Sequence, residues 1–134
     1  MVQQTFENKN KYKDFDLSFT RNPLTDDIGK KTDSNAINQS LGVLLNTHYY
    51  ERPFRPEVGS NLRRILFEPA DPITIQDLRA SIEALVINYE PRVSVMDIKI
   101  QDLSEMNAYN LTIEYRIVNM THSMSFTTTL RRLR

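Results

Sequence analysis

The chain has no cysteine, only three glycines and only two histidines in 134 residues. Without cysteine there can be no disulfide, thiolate metal site or thiol nucleophile. A reducing compartment fits that absence without being required by it. So few glycines leave no run able to cradle a phosphate, and no GxGxxG, P-loop or GxSxG pattern occurs. His48 and His122 lie far apart in sequence, whereas a closed metal site needs three or four ligands. No cofactor and no metal are therefore expected. No apolar run approaches the roughly 20 residues that span a bilayer. The start, Met1-Val2-Gln3-Gln4-Thr5-Phe6-Glu7, lacks the basic-then-apolar order of a signal peptide. No membrane is expected as a partner.

What is present is an ordinary globular composition, 40% hydrophobic and 25% charged, of a length that suits one domain. Acids and bases balance at 17 each but are unevenly placed. Between Glu68 and Glu90 five acids face the single base Arg79, and from Ser123 onward there are three arginines and no acid. Such asymmetry suits contacts with protein neighbours, although on charge alone a solvated pattern with no partner is the favoured reading. The balanced total and the shortness of the basic tail argue against nucleic acid.

Residues 1–14 are polar without a usable period and read as a flexible or partner-ordered arm, leaving 15–134 as a single domain. Phe15, Leu17 and Phe19 alternate with polar residues, which predicts a short strand over 14–19, with loop from Asn22-Pro23 to Asp33. A first helix starts at Asp33 or Ser34 and buries Ile37, Leu41, Leu44 and Leu45. The Arg52–Gly59 segment is expected to be extended around its prolines, with Phe54 in the core. Ser60 caps a short helix carrying Leu62, Ile65 and Leu66. Thr74, with Asp77 three residues on, resembles a capping box and opens the clearest helix, whose face is Ile75, Leu78, Ile82, Leu85, Val86 and Tyr89.

Pro91 stops that helix at or before Glu90, because proline pushes the residue before it out of helical geometry. The period then changes to two. Met96, Ile98 and Ile100 line one strand, Tyr109, Leu111, Ile113, Tyr115 and Ile117 the next, and Met124, Phe126, Thr128 and Leu130 the last. Short connections make these hairpins. The fold class is α+β, with N-terminal helices packed on a C-terminal antiparallel β-meander. The last strand carries no proline, and no charge before Arg131. It is thus either an open template for another chain's strand or an edge covered within the domain.

Glu90-Pro91-Arg92 sets an acid and a base on either side of a stiff corner. That suits a directional contact with a partner. The alternative, which can hold alongside it, is an internal salt bridge of Glu90 and Arg92 tying the corner to the sheet, or Glu90 paired with Arg52. Glycoside hydrolysis would need only two carboxyls across a cleft, and Glu51, Glu57, Glu68 and Glu90 are available. Nothing in the sequence places two of them at that separation. Arg55 and Arg92 stand beside Glu57 and Glu90, and a cation favours the ionised carboxylate where a general acid must arrive protonated.

The set Arg52-Pro53-Phe54, Pro56-Glu57-x-Gly59, Leu62 through Leu66-Phe67-Glu68, and Glu90-Pro91-Arg92 resembles the baseplate wedge family of contractile phage tails, which has relatives in type VI secretion baseplates. The resemblance covers residues 36–118. It implies a structural, non-enzymatic protein similar to the handshake domain of the tail sheath subunit. It would sit in the virion tail baseplate after assembly in the host cytoplasm. The implied partners are the other baseplate wedge proteins through their helix bundle, the tail sheath subunit, and the tail tube. Glu90, Pro91 and Arg92 would be the contact with the bundle. The resemblance also implies strand pairing with the first sheath ring. The last strand, with Phe126, Thr128 and Leu130, matches no family motif and is the candidate from its own pattern, and Arg52 completes the candidate contact set. Two rival readings stay open. One is a peptidoglycan-cleaving enzyme, after the "lysozyme-like" label attached to the family. The other is the equivalent subunit of a bacterial secretion system.

Overall fold

A computed structural model describes residues 12–118 and 120–132. The elements are β1 (Lys13–Phe15), β2 (Lys30–Thr32), α1 (Asp33–Asn46), α2 (Leu62–Ile65), α3 (Pro72–Tyr89), β3 (Val93–Leu103), β4 (Ala108–Ile117) and β5 (Ser123–Arg131). β1 and β2 form one antiparallel sheet, and β3-β4-β5 form the other in that order. This is the α+β class that the sequence indicates. Two compact units divide between Ile37 and Asn38, inside α1. Of the arm read as 1–14, residues 1–11 lie outside the described residues, while Lys13 and Asp14 belong to β1.

In the first unit the strand expected over 14–19 is realised only as β1. The Asp16 carboxylate accepts the Ser18 N–H at 3.0 Å, closing a turn of the kind Asp side chains favour. Phe15, Leu17 and Phe19 are exposed, so their alternation does not mark a buried face. β2 was not expected, because Lys30-Lys31-Thr32 carries no apolar alternation to announce it.

The second unit is organised around β4. Tyr109, Leu111, Ile113, Tyr115 and Ile117 are each 0% exposed, and a large side chain so buried contributes about 1.5–3 kcal/mol. α3 packs on β3, and α2 on α3. The α3 residues Leu78, Ile82, Leu85 and Val86 are buried, with Ile75 and Tyr89 half-buried. α3 begins earlier than expected. Its cap is Asp71, which accepts the Thr74 N–H at 2.7 Å, and Pro72 occupies the first turn, where its missing N–H costs nothing. Thr74 is a buried residue inside the helix rather than its cap.

Two further expectations are corrected. Ser60 does not cap α2; Asn61 stands at the cap position, and the Ser60 hydroxyl donates to the Thr47 carbonyl at 3.3 Å. Met96 does not join the inward series of β3. Pairing slips between Val95, opposite Tyr115, and Asp97, opposite Glu114. Met96 is the extra residue of this bulge and is 52% exposed. Inward parity passes from Val95 to Ile98, which is buried.

Candidate docking site

The α3 helix stops where the sequence says, with Glu90 as C-cap and its N–H on the Val86 carbonyl at 2.9 Å. The corner then folds on itself. Arg92 Nε donates to Glu90 Oε1 at 2.7 Å and Nη2 to Oε2 at 2.8 Å, a two-point pair. Ser40, on α1, also donates to Oε2. Glu90 is only 2% exposed, whereas Pro91 is exposed and Arg92 half-buried. The Arg92 carbonyl accepts the Val118 N–H at 2.9 Å, tying the corner to the end of β4. Burial alone would raise the Glu90 pKa. The bonds from Arg92 and Ser40 and the guanidinium charge outweigh it and hold the carboxyl below the ordinary glutamate value. Nearby, burial pushes Tyr115 up to about 12, with the Glu90 charge adding to the effect. The Tyr115 hydroxyl donates to Asn38 Oδ1 at 2.6 Å.

Of the alternatives open in the sequence, the observed pair is Glu90 with Arg92, not with Arg52. Ser40 is a participant that sequence reasoning missed. Its one available signal is position: it falls three residues after Ile37, inside the buried stripe of α1.

The Arg52–Gly59 segment is a succession of turns, not an extended stretch. Tyr50 N–H meets the Pro56 carbonyl at 2.9 Å, and Val58 N–H the Arg55 carbonyl at 3.2 Å. Gly59 is required where the loop closes: at φ 156, a Cβ there would lie 2.5 Å from the His48 carbonyl carbon. The loop expels Phe54, which is 100% exposed at φ 71, against the expectation that it is core. Its prolines and its own backbone bonds fix a path that turns the ring outward. Arg52, Tyr50 and Phe54 are all exposed on this loop. The Tyr89 hydroxyl donates to the Glu57 carbonyl at 2.7 Å, joining the loop to the end of α3.

Among the described residues β5 pairs only with β4 and is one edge of its sheet; β3 is the other. Its register with β4 is unbroken from Arg116↔Ser123 to Ala108↔Arg131. The Arg132 N–H reaches the Asn107 carbonyl at 2.9 Å. In an antiparallel ladder hydrogen-bonded pairs recur every second residue. Met124, Phe126, Thr128 and Leu130 therefore bond β4, while Ser123, Ser125, Thr127, Thr129 and Arg131 direct N–H and C=O off the edge. Among the described residues no backbone partner covers those groups. The Phe126, Thr128 and Leu130 side chains share the inward parity. A Cβ at Gly42 of α1 would stand 3.8 Å from the Phe126 ring, and Leu130 is buried. By contrast with β5, the β3 edge is kinked by its bulge and carries Asp97 and Lys99.

The sequence matches the family described as "Baseplate wedge protein gp25" over residues 31–122. It is 32% identical over 90 residues to the baseplate wedge protein gp25 of Enterobacteria phage T4, covering 67% of each chain. The chain belongs to the baseplate wedge protein gp25 family. Solved structures share the fold. A Geobacter sulfurreducens protein named as a candidate tail lysozyme superposes with TM-score 0.62 at 21% identity, over 73% of this chain and 91% of that one. A chain of the anti-feeding prophage baseplate gives TM-score 0.62 at 21% identity, over 89% and 84%. One from the post-contraction baseplate of pyocin R2 gives 0.58 at 19%, over 73% and 96%. The family match contains the corner and the Arg52 loop and ends just before β5.

Proposed function

We propose that this protein is a structural, non-enzymatic component of the baseplate of a contractile tail or related particle. In this reading it docks on the helix bundle of the other wedge proteins through the Glu90-Pro91-Arg92 corner and the adjoining Arg52 loop. It templates the first sheath ring through β5, beside the tail tube, in a baseplate put together in the host cytoplasm. Family membership supports the place in a baseplate. The observation that carries the templating role is the β5 edge, where five residues direct outward backbone groups that no described residue pairs, without bulge or proline. Only another extended strand satisfies such a row in register.

The corner would act as a rigid platform. Glu90 is buried against Arg92 and Ser40, so its contribution to docking is to fix Pro91 and the Arg92 guanidinium in place, and the exposed groups make the contact. Peptidoglycan cleavage is the weaker reading. A general acid must be protonated to work, and Glu90 is held ionised by two donors. The Glu57 carboxylate faces Arg55 at 3.4 Å.

Negative-stain microscopy of this protein with its sheath subunit, with and without the other wedge proteins, tests the reading. Sheath should grow from discrete assemblies only when the chain is present. Sheath growth indifferent to the chain contradicts templating. Zymography of Glu57→Gln and Glu90→Gln beside wild type decides the enzyme alternative; the reading predicts no clearing by any of the three.

A further inference from the structure

Beside the last residues of β5 lies a groove of about 380 Å³, bounded by the end of α1, by α2 and by β5 itself. Its floor is Leu45, Leu62, Leu66 and Leu130, and its rim carries Arg63 and Arg131. Among the described residues no carboxylate lines it, and neither arginine has an acidic partner. A cavity of about 150 Å³ suffices to bind benzene, so this one has room for a large apolar side chain.

The groove and the open edge are continuous. Leu130 faces the helices and forms part of the floor, while its neighbours Thr129 and Arg131 send N–H and C=O off the edge. A strand added beside these residues has every second side chain on the same face as Leu130, and there it meets the groove. We propose that the groove reads the sequence of the strand that adds to β5. It accepts one apolar side chain over the four leucines, with a carboxylate as the next residue, on the opposite face beside Arg131, and Arg63 adding positive charge on the groove side.

This inference rests on the strand-addition reading above and supplies what that reading lacks, a source of selectivity. Backbone pairing accepts any sequence, whereas side-chain pockets beside the edge discriminate. Two cations at the rim and, among the described residues, no anion make the acidic flank the complementary choice and reject a basic one. The occupant is thus an extended segment of a partner protein, apolar and acidic at alternating positions, rather than a helix or a small molecule.

The absence of cysteine makes the test clean, because Asn46→Cys on the groove wall introduces the sole thiol. The full-length variant is mixed with the sheath subunit of its own tail, and the rate of maleimide labelling is followed. Bound sheath should slow labelling about tenfold or more, and Arg63→Glu with Arg131→Glu should weaken binding by about the same factor. Exchanging the facing carboxylate of the sheath strand for arginine should restore binding to the charge-reversed protein. Sheath binding with an unchanged labelling rate, or unaffected by charge reversal, overturns the proposal. So does protection in the absence of sheath, which would mean that a second copy or residues 1–11 occupy the groove. Thr127→Pro separates this from the underlying reading. It removes an outward N–H and, within the sheet, only an exposed hydroxyl contact with Thr112 at 3.2 Å. If Thr127→Pro binds sheath like wild type, strand addition itself is contradicted. If it fails to bind while charge reversal is harmless, only the groove proposal falls. Urea unfolding of each variant confirms that it is folded.

Discussion

The Tyr89 hydroxyl donates to the main-chain carbonyl of Glu57 at 2.7 Å, fastening the last turn of α3 to the loop that carries Arg52 and Phe54. Residues separated by 32 positions are thereby brought into one frame, and the two proline-stiffened motifs become neighbours. Tyr89→Phe removes the bond and leaves the ring. It should lower stability by about 1 kcal/mol and make the 50–58 segment more susceptible to limited proteolysis. Urea unfolding and a timed digest check both. An unchanged digest would mean that the loop is held by its own backbone bonds alone.

The corner allows stability and docking to be separated. Arg92→Ala strands a buried carboxylate with Ser40 and should cost about 3 kcal/mol. Replacing both members by apolar residues of similar size, Glu90→Leu with Arg92→Met, removes the desolvation penalty along with the pair. That double variant should be close to wild type in urea yet fail to join the wedge proteins in a co-purification assay. If it assembles normally, the pair is structural only.

Glu90 and Tyr115 set opposite limits on pH stability. The folded pKa of Glu90 is depressed, so its contribution is complete above the ordinary glutamate pKa and is lost as pH falls below it, when the pair must be protonated. Glu90→Gln should flatten the acid limb of the stability curve. Tyr115 is raised to about 12, so the unfolded chain ionises first. Stability should therefore decline between pH about 10, the ordinary tyrosine pKa, and about 12. Tyr115→Phe should remove that decline while losing the bond to Asn38. Urea midpoints across pH show whether each limb belongs to the named group.

Phe54 combines full exposure with a left-handed backbone, φ 71, where a side chain other than asparagine or glycine costs about 1 kcal/mol. Phe54→Asn should raise the thermal midpoint of the isolated protein by a few degrees. It should also weaken docking on the wedge proteins, since an exposed aromatic on a fixed loop is a typical binding anchor. Stabilisation without loss of docking would remove Phe54 from the interface.

The elements readable from the sequence are those where one local rule had no competitor. The α3 stop at Glu90 follows from Pro91 alone, and the burial of β4 follows from five large side chains at period two. Where two local rules competed, the pattern misled. Asp71-Pro72 outranks Thr74 as a helix start, because proline fits the first turn and aspartate caps it. The Met96 bulge cannot be found by counting along β3, since it exists only in the pairing with β4. Phe54 reads as core by hydrophobicity, yet the turns closed by Tyr50–Pro56 and Gly59 leave it no inward path. At the corner the pairing of acid and base was legible as one of several arrangements. Ser40, which completes it from 50 residues away, was not.

Templating by β5 is tested most directly by the fraction of wedge assemblies that carry sheath, counted by negative-stain microscopy with wild-type protein and with Thr127→Pro. Both proteins should enter wedge assemblies equally, and only wild type should bear sheath. Sheath of normal length and frequency on Thr127→Pro assemblies would contradict templating by β5.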